Sequence, residues 1–126
     1  MKASLEFMVR SEIVFSSNLR WLHPLFELEH FLKERGIDAS TGELRDKVVG
    51  RGSAFLIARL GIPRVHAELL SKLGMSVLDS AGIAYTWDTL VEEIACSTEK
   101  LLEHVTDPDE AYAILAKRAM IPKRIF

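Results

Sequence analysis

Cysteine is almost absent. Cys96 is the one thiol in 126 residues, which excludes an intramolecular disulfide and every zinc site built on two or more thiolates. A chain that uses so little cysteine is expected in the reducing cell interior, so its expected location is cytoplasmic. Long apolar runs are absent too. The longest, Ala54 to Ala58, is cut at once by Arg59 and falls far below the ~20 residues that span a bilayer; no membrane partner is expected. Met1 to Phe7 places Glu6 where a signal peptide needs an apolar core, so none is expected. Charge of one sign is missing: 16 Lys and Arg stand against 18 Asp and Glu, a net of −2. That balance gives no reason to expect a nucleic-acid partner.

What is present is the mixture of a folded globular chain, with 48% hydrophobic and 27% charged residues. The length fits one domain, residues 1–126. Ser4 to Val9 and Glu12 to Phe15 are rich in strand formers, with the polar break Arg10-Ser11-Glu12 between them, which reads as a hairpin. A helix is predicted from Trp21 to Arg35, with Pro24 in its first turn and Gly36 just beyond its end. Glu43 to Val49 reads as a strand and Ala54 to Leu60 as a short buried helix, closed by Gly61. Arg64 to Leu70 reads as a strand, Lys72 to Ala81 as a helix, and Ile83 to Trp87 as a strand. Helices are then predicted over Thr89 to Ala95, capped by Asp88, and over Thr98 to Val105, capped by Ser97. A last helix runs to about Met120, with Asp107 as N-cap, Pro108 at the first position and Glu110 as the capping-box acid. Strand and helix alternate after an opening hairpin, so the expected fold is α/β, a three-layer domain with a mixed five-stranded sheet.

Three constellations could carry chemistry. His66-Ala67-Glu68 has the H-x-E spacing of zinc deaminases, where His binds zinc and Glu moves the proton. The required second thiolate is missing, Ala95 precedes Cys96 where Pro is needed, and the H-x-E lies on a predicted strand. No metal is expected. The second is Asp46-Lys47-Val48-Val49-Gly50-Arg51-Gly52-Ser53, a strand leading through two glycines into a helix start. Free N–H groups there, with Arg51 beside them, could hold an anion; alternatively, the glycines only permit a tight turn and close packing. The third is Cys96, either a nucleophile near a helix start or a small buried apolar residue. His23, His30 and His104 show no metal-ligand spacing. Glu29 falls inside the apolar stripe of its helix, which places it at a cleft edge or at the solvent end of the sheet.

Asp46 to Leu56 resembles the D-K-V-V-G-K-A-A-A-L-L core of a family of small, uncharacterised prokaryotic proteins with a cytidine-deaminase-like fold that lacks the zinc site. Pro24 to Leu28, Tyr85 to Val91, Cys96 to Leu101 and Asp107 to Tyr112 follow in the family's order. The resemblance covers nearly the whole chain. It implies a deaminase-like sheet whose metal positions, the helix starts at Gly50–Ser53 and Ser71–Met75, offer neither His nor Cys. The family's G-T-G before the cysteine is absent here, since Glu92-Glu93-Ile94-Ala95 runs directly into Cys96, and its Pro is replaced by Ser97.

Together these readings favour a metal-independent domain, with no cofactor, that binds a small anionic or nucleotide-like ligand. Asp46, Lys47, Gly50, Arg51 and Ser53 are the expected binding residues. Arg51 and the helix N–H groups would hold the anion, and Asp46 would orient Lys47 or accept a hydrogen bond. The alternatives are an enzyme using Cys96 as nucleophile or Glu99 as general acid/base, and a structural or interaction module. A homodimer, through helices or a sheet edge, is plausible on base rates.

Overall fold

A computed structural model of the chain describes residues 3–94 and 97–125. The opening hairpin forms as β1 (Leu5–Val9) and β2 (Glu12–Ser17). Arg10 and Ser11 both adopt left-handed backbone, φ 54° and 67°, the geometry that lets a two-residue turn follow the twist of its strands. Helix α1 (His23–Arg35) buries Leu25, Leu28 and Leu32. It ends at Gly36, whose left-handed φ of 64° lets its N–H reach back to the carbonyls of the last turn. There follow β3 (Gly42–Val49), α2 (Arg51–Leu60), β4 (Arg64–Ser71), α3 (Lys72–Ser80), β5 (Ala84–Val91), α4 (Ser97–Leu101) and α5 (Pro108–Ile125).

The five strands form one sheet in the order β2-β1-β3-β4-β5. β1 is antiparallel to β2 and β3, while β3, β4 and β5 are mutually parallel, with α2 and α3 as the crossovers. Leu5, Phe7, Leu44, Val65 and Ala67 fall in register on one face and are buried in the core, together with Leu28, Ile57 and Leu78 from α1, α2 and α3. α4 and α5 pack outside α2, and α5 adds the buried Ala111 and Leu115. The layers are thus the sheet, the inner helices and the outer helices. α2 is the central helix: Gly52 to Ile57 are all buried, as expected of a helix enclosed on every side. The reverse face of the sheet carries Glu43, Arg45, Arg64, His66, Glu68, Thr86 and Asp88, all half-buried or exposed.

Several boundaries differ from those read in the sequence: α1 starts at His23, β2 continues to Ser17 and α5 runs on to Ile125, and three further differences bear on the site. The helix expected over Thr89–Ala95 is absent among the described residues. Instead β5 continues to Val91, with Thr89, Leu90 and Val91 paired to Leu69, Leu70 and Ser71 of β4. Sheet pairing of β-branched and apolar residues outweighs the local capping capacity of Asp88. α2 begins at Arg51 rather than Ala54 and takes Gly52 inside the helix. α4 is a five-residue helix ending at Leu101, shorter than the expected run to Val105. The start of α5 matches the sequence reading: Pro108 is its first residue, and the Asp107 carboxylate accepts from the N–H of Asp109 at 3.3 Å.

Candidate functional site

The parallel strands end where α2 and α3 begin, the edge at which open α/β sheets bind their ligands. A cavity of about 460 Å³ opens there. Its floor is the end of β3, with Asp46, Lys47 and Val48. One wall is the start of α2, with Gly50, Gly52 and Ser53. Another is the loop from Asn18 to Leu22, and Ile94, Thr98 and Glu99 close the far side. The loop is fixed to the start of β1: the Ser4 hydroxyl donates to the carbonyls of Ser17 and Leu19, each at 2.8 Å.

Asp46 is the buried polar group of this floor, 8% exposed. Burial pushes its carboxyl up to about 7, and hydrogen bonds from the N–H groups of Val48 and Lys47 offset only part of that. A carboxyl so poised can donate or accept a proton near neutral pH. Above it stands Trp21, 39% exposed and left-handed at φ 57°, an outlying conformation for a bulky residue. Its indole N–H donates to Thr98 Oγ1 at 2.9 Å, tying the loop to α4 across the cavity. Leu19, Leu22, Pro24, Val48 and Ile94 supply apolar wall, and Arg20 and Lys47 are the cationic residues of the lining.

The helix start that reads in the sequence as an anion site already meets an anion from the chain itself. The Glu99 carboxylate, 3% exposed, accepts from the backbone N–H of Arg51 at 2.8 Å and from the Ser71 hydroxyl at 2.7 Å. Its other oxygen accepts from the N–H of Ile94. Ser71 in turn caps α3, accepting from Gly74 N–H at 2.9 Å. One carboxylate therefore joins the starts of α2 and α3. The two helix starts lie so close that a Cβ on Gly74 would come within 2.9 Å of the Gly50 carbonyl. Convergent N–H and O–H donors suit a carboxylate and not a cation, so this arrangement does not fit a metal. Among the described residues, no group of three or more His, Cys, Asp and Glu side chains could hold a metal ion.

The structure brings Asp46, Lys47, Gly50, Ser53 and Glu99 to one cavity. Arg51 departs from its expected place. Its guanidinium donates to the Glu99 backbone carbonyl at 3.1 Å, and it lines a separate concavity beside Phe55, Leu73 and Glu103. Helical phase explains this: once α2 begins at Arg51, that side chain projects away from Gly52 and Ser53. Cys96 lies outside the described residues. The glycines act through close approach rather than through a turn. Gly50 has ordinary extended backbone, φ −104°, and a Cβ on Gly52 would come within 2.8 Å of Thr98. His66 and Glu68 share the reverse face of the sheet, where His66 Nδ1 lies 2.7 Å from Thr86 Oγ1 and Nε2 lies 3.2 Å from Asp88. No sequence motif marks Trp21, Arg20 or Thr98 as site residues. Their one signal is a large aromatic shortly after the loop-forming Ser16-Ser17-Asn18.

A larger concavity, about 690 Å³, lies on that reverse face. Its lining mixes apolar residues with exposed and half-buried charged ones, without a buried polar group like Asp46. The smaller cavity, with few polar groups converging among apolar walls, has the character of a ligand site.

Fold and cavity define a class: a mixed-sheet α/β domain with a small-molecule-sized cleft at the ends of its parallel strands. Within that class the chain belongs to the family described as Domain of unknown function (DUF1893), whose profile matches residues 3–118. It is similar to a DUF1893 family protein (TM1506) from Thermotoga maritima, known from a crystal structure. The two share 23% identity and a TM-score of 0.81, over 92% of this chain and 80% of that one. At that identity the likeness shows the fold. No curated protein matches the chain. Among the described residues, no helix is long and apolar enough to cross a membrane.

Proposed function

We propose that the domain binds a small ligand with a flat, partly apolar body and an anionic group, as in a nucleotide-like molecule, without a metal. The observation that carries this is the cavity of about 460 Å³ with the Asp46 carboxyl in its floor. Trp21 and the aliphatic wall suit the flat body. Arg20 and Lys47 suit the anionic group, a task that the sequence pattern assigns to Arg51. Asp46 hydrogen-bonds the polar edge of the ligand. The near-neutral carboxyl favours a second reading, in which Asp46 also transfers a proton to or from the bound molecule. Glu99 is engaged by its three donors, which favours a structural role over general acid/base work.

The test is a thermal-shift screen over nucleotides, sugar phosphates and small aromatic acids, followed by calorimetry on any hit. Asp46→Asn and Trp21→Ala should each weaken binding by about tenfold or more, a loss of about 1.4 kcal/mol. Arg45→Ala, on the opposite face of the sheet, should leave it unchanged. A hit whose affinity ignores both cavity variants would place the binding site elsewhere.

A further inference from the structure

The two edges of the sheet are built differently. The β2 edge is six residues long, carries the exposed Glu12, and belongs to a pair whose register slips between Phe7 and Met8. Short length, charge and irregularity are the usual devices that keep an edge from pairing with another chain. β5, the other edge, is longer and regular, and Asp88 is its one charge. It is eight residues long, Ala-Tyr-Thr-Trp-Asp-Thr-Leu-Val, with no Lys, Arg or Pro. It runs in even register along β4 from Ala84 to Val91, and among the described residues no strand pairs with its outer side. Trp87 is 42% exposed there, its ring 5.9 Å from that of Tyr85.

We propose that β5 is the seam of a homodimer, in which it pairs antiparallel with β5 of a second copy across a two-fold axis at Trp87. The pattern of the strand suits a second copy in this register and disfavours one centred on Asp88. Residues directly opposite in an antiparallel pair share a face, so a two-fold on a residue makes one continuous sheet with all inner helices on the same side. Asp88 is the lone charge of β5, so a pairing centred on it would set two carboxylates face to face. Centred on Trp87, the same strand puts Asp88 opposite Thr86 of the second copy, whose hydroxyl can donate to it. Tyr85 then faces Thr89, and the two Trp87 rings meet and leave water. An isologous seam of this kind closes at two copies and does not grow into a fibre.

Sedimentation over a wide concentration range, on the full chain, tests this together with hydrogen exchange. A monomer–dimer equilibrium is expected, with the amides of residues 84–90 becoming more protected as concentration rises while those of β2 do not change. Trp87→Lys and Thr89→Lys each place a cation on the seam. Each should raise the dimer dissociation constant by at least about tenfold, with the circular dichroism spectrum and melting midpoint of the monomer retained. A chain that stays monomeric overturns the proposal. So does a dimer indifferent to both lysines, or one whose β5 exchange is independent of concentration. A monomer that instead takes up an extended peptide along β5 also overturns it, since the occupant is then not a second copy.

Discussion

A carboxyl buried behind a small cavity changes how stability responds to pH, and Asp46 gives that response an unusual sign. Its folded value of about 7 lies above the ordinary 3.8, so the folded state holds the proton more tightly than the unfolded state. Its contribution to stability is complete below the unfolded value and is lost as pH rises through the folded one. A tenfold difference in proton affinity between the two states is worth about 1.4 kcal/mol. Asp46→Asn removes the titration. From about pH 5 to about pH 8, the difference in unfolding free energy should therefore move in favour of the variant by at least about 1 kcal/mol. Urea unfolding of both proteins across that range measures it, and a constant offset would show that Asp46 does not titrate there. At this scale the sequence is partly legible. Asp46, Lys47, Gly50 and Ser53 are neighbours in the chain, so a strand running into a helix start brings them together. Trp21 and Thr98 are 77 positions apart, and no local pattern could announce their meeting.

Among the elements, the junction of α2 and α3 shows why a helix start that reads as open to an outside anion can be occupied by the chain's own carboxylate. α2 has no side-chain N-cap and no acid in its first turn, and both are the usual means of satisfying its first N–H groups. The chain answers from a distance of 48 residues with Glu99, through a hydrogen bond of 2.8 Å to Arg51 N–H. A local reading sees the open donors and infers a ligand, because the satisfying group lies far along the chain. β5 carries the same lesson in reverse. Asp88-Thr89 looks like a helix start until β4 supplies a ladder for Thr89, Leu90 and Val91. Glu99→Ala leaves Arg51 N–H, the Ser71 hydroxyl and Ile94 N–H without their acceptor. At about 1–3 kcal/mol for each buried unsatisfied group, the loss should be at least about 3 kcal/mol. Glu99→Gln keeps one carbonyl acceptor and should cost visibly less. Equal midpoints in guanidinium for Glu99→Ala and the unaltered chain would mean that water replaces the carboxylate.

For the molecule as a whole, attachment of the outer helices depends on a polar group that the sequence places oddly. Glu29 sits in the apolar stripe of α1, and the fold explains it: the carboxylate lies 9% exposed at the meeting of α1, α2 and α5. Arg59 of α2 pairs with it, the Tyr112 hydroxyl of α5 donates to it at 3.0 Å, and Lys33 lies 3.8 Å away. Arg59 also stacks over the Tyr112 ring at 3.5 Å from its centre, a cation–π contact that holds the guanidinium while it serves the carboxylate. Burial by itself would raise the Glu29 carboxyl. The hydrogen bonds from Arg59 and Tyr112 and the charges of Arg59 and Lys33 outweigh it, and the net direction is downward. This is the opposite sign to Asp46. The Glu29 contribution is present above its ordinary value of 4.5 and is lost as pH falls through its lower folded value. The two carboxyls therefore bracket a stability optimum in the acid range, close to their ordinary values of 3.8 and 4.5, with Glu29 setting the limb below it and Asp46 the decline from there toward neutral pH. Glu29→Gln should cost about 2–3 kcal/mol at neutral pH, less than a fully buried pair because Arg59 keeps some contact with water. It should also flatten the acid limb and leave the Asp46 limb in place. Unfolding free energies of Glu29→Gln, Asp46→Asn and the double variant, taken across the acid and neutral range, test this directly. The two effects should add, since the groups share no partner. An acid limb unchanged in Glu29→Gln would mean that other carboxylates govern acid unfolding and that the three-helix clamp does not hold α5 in place.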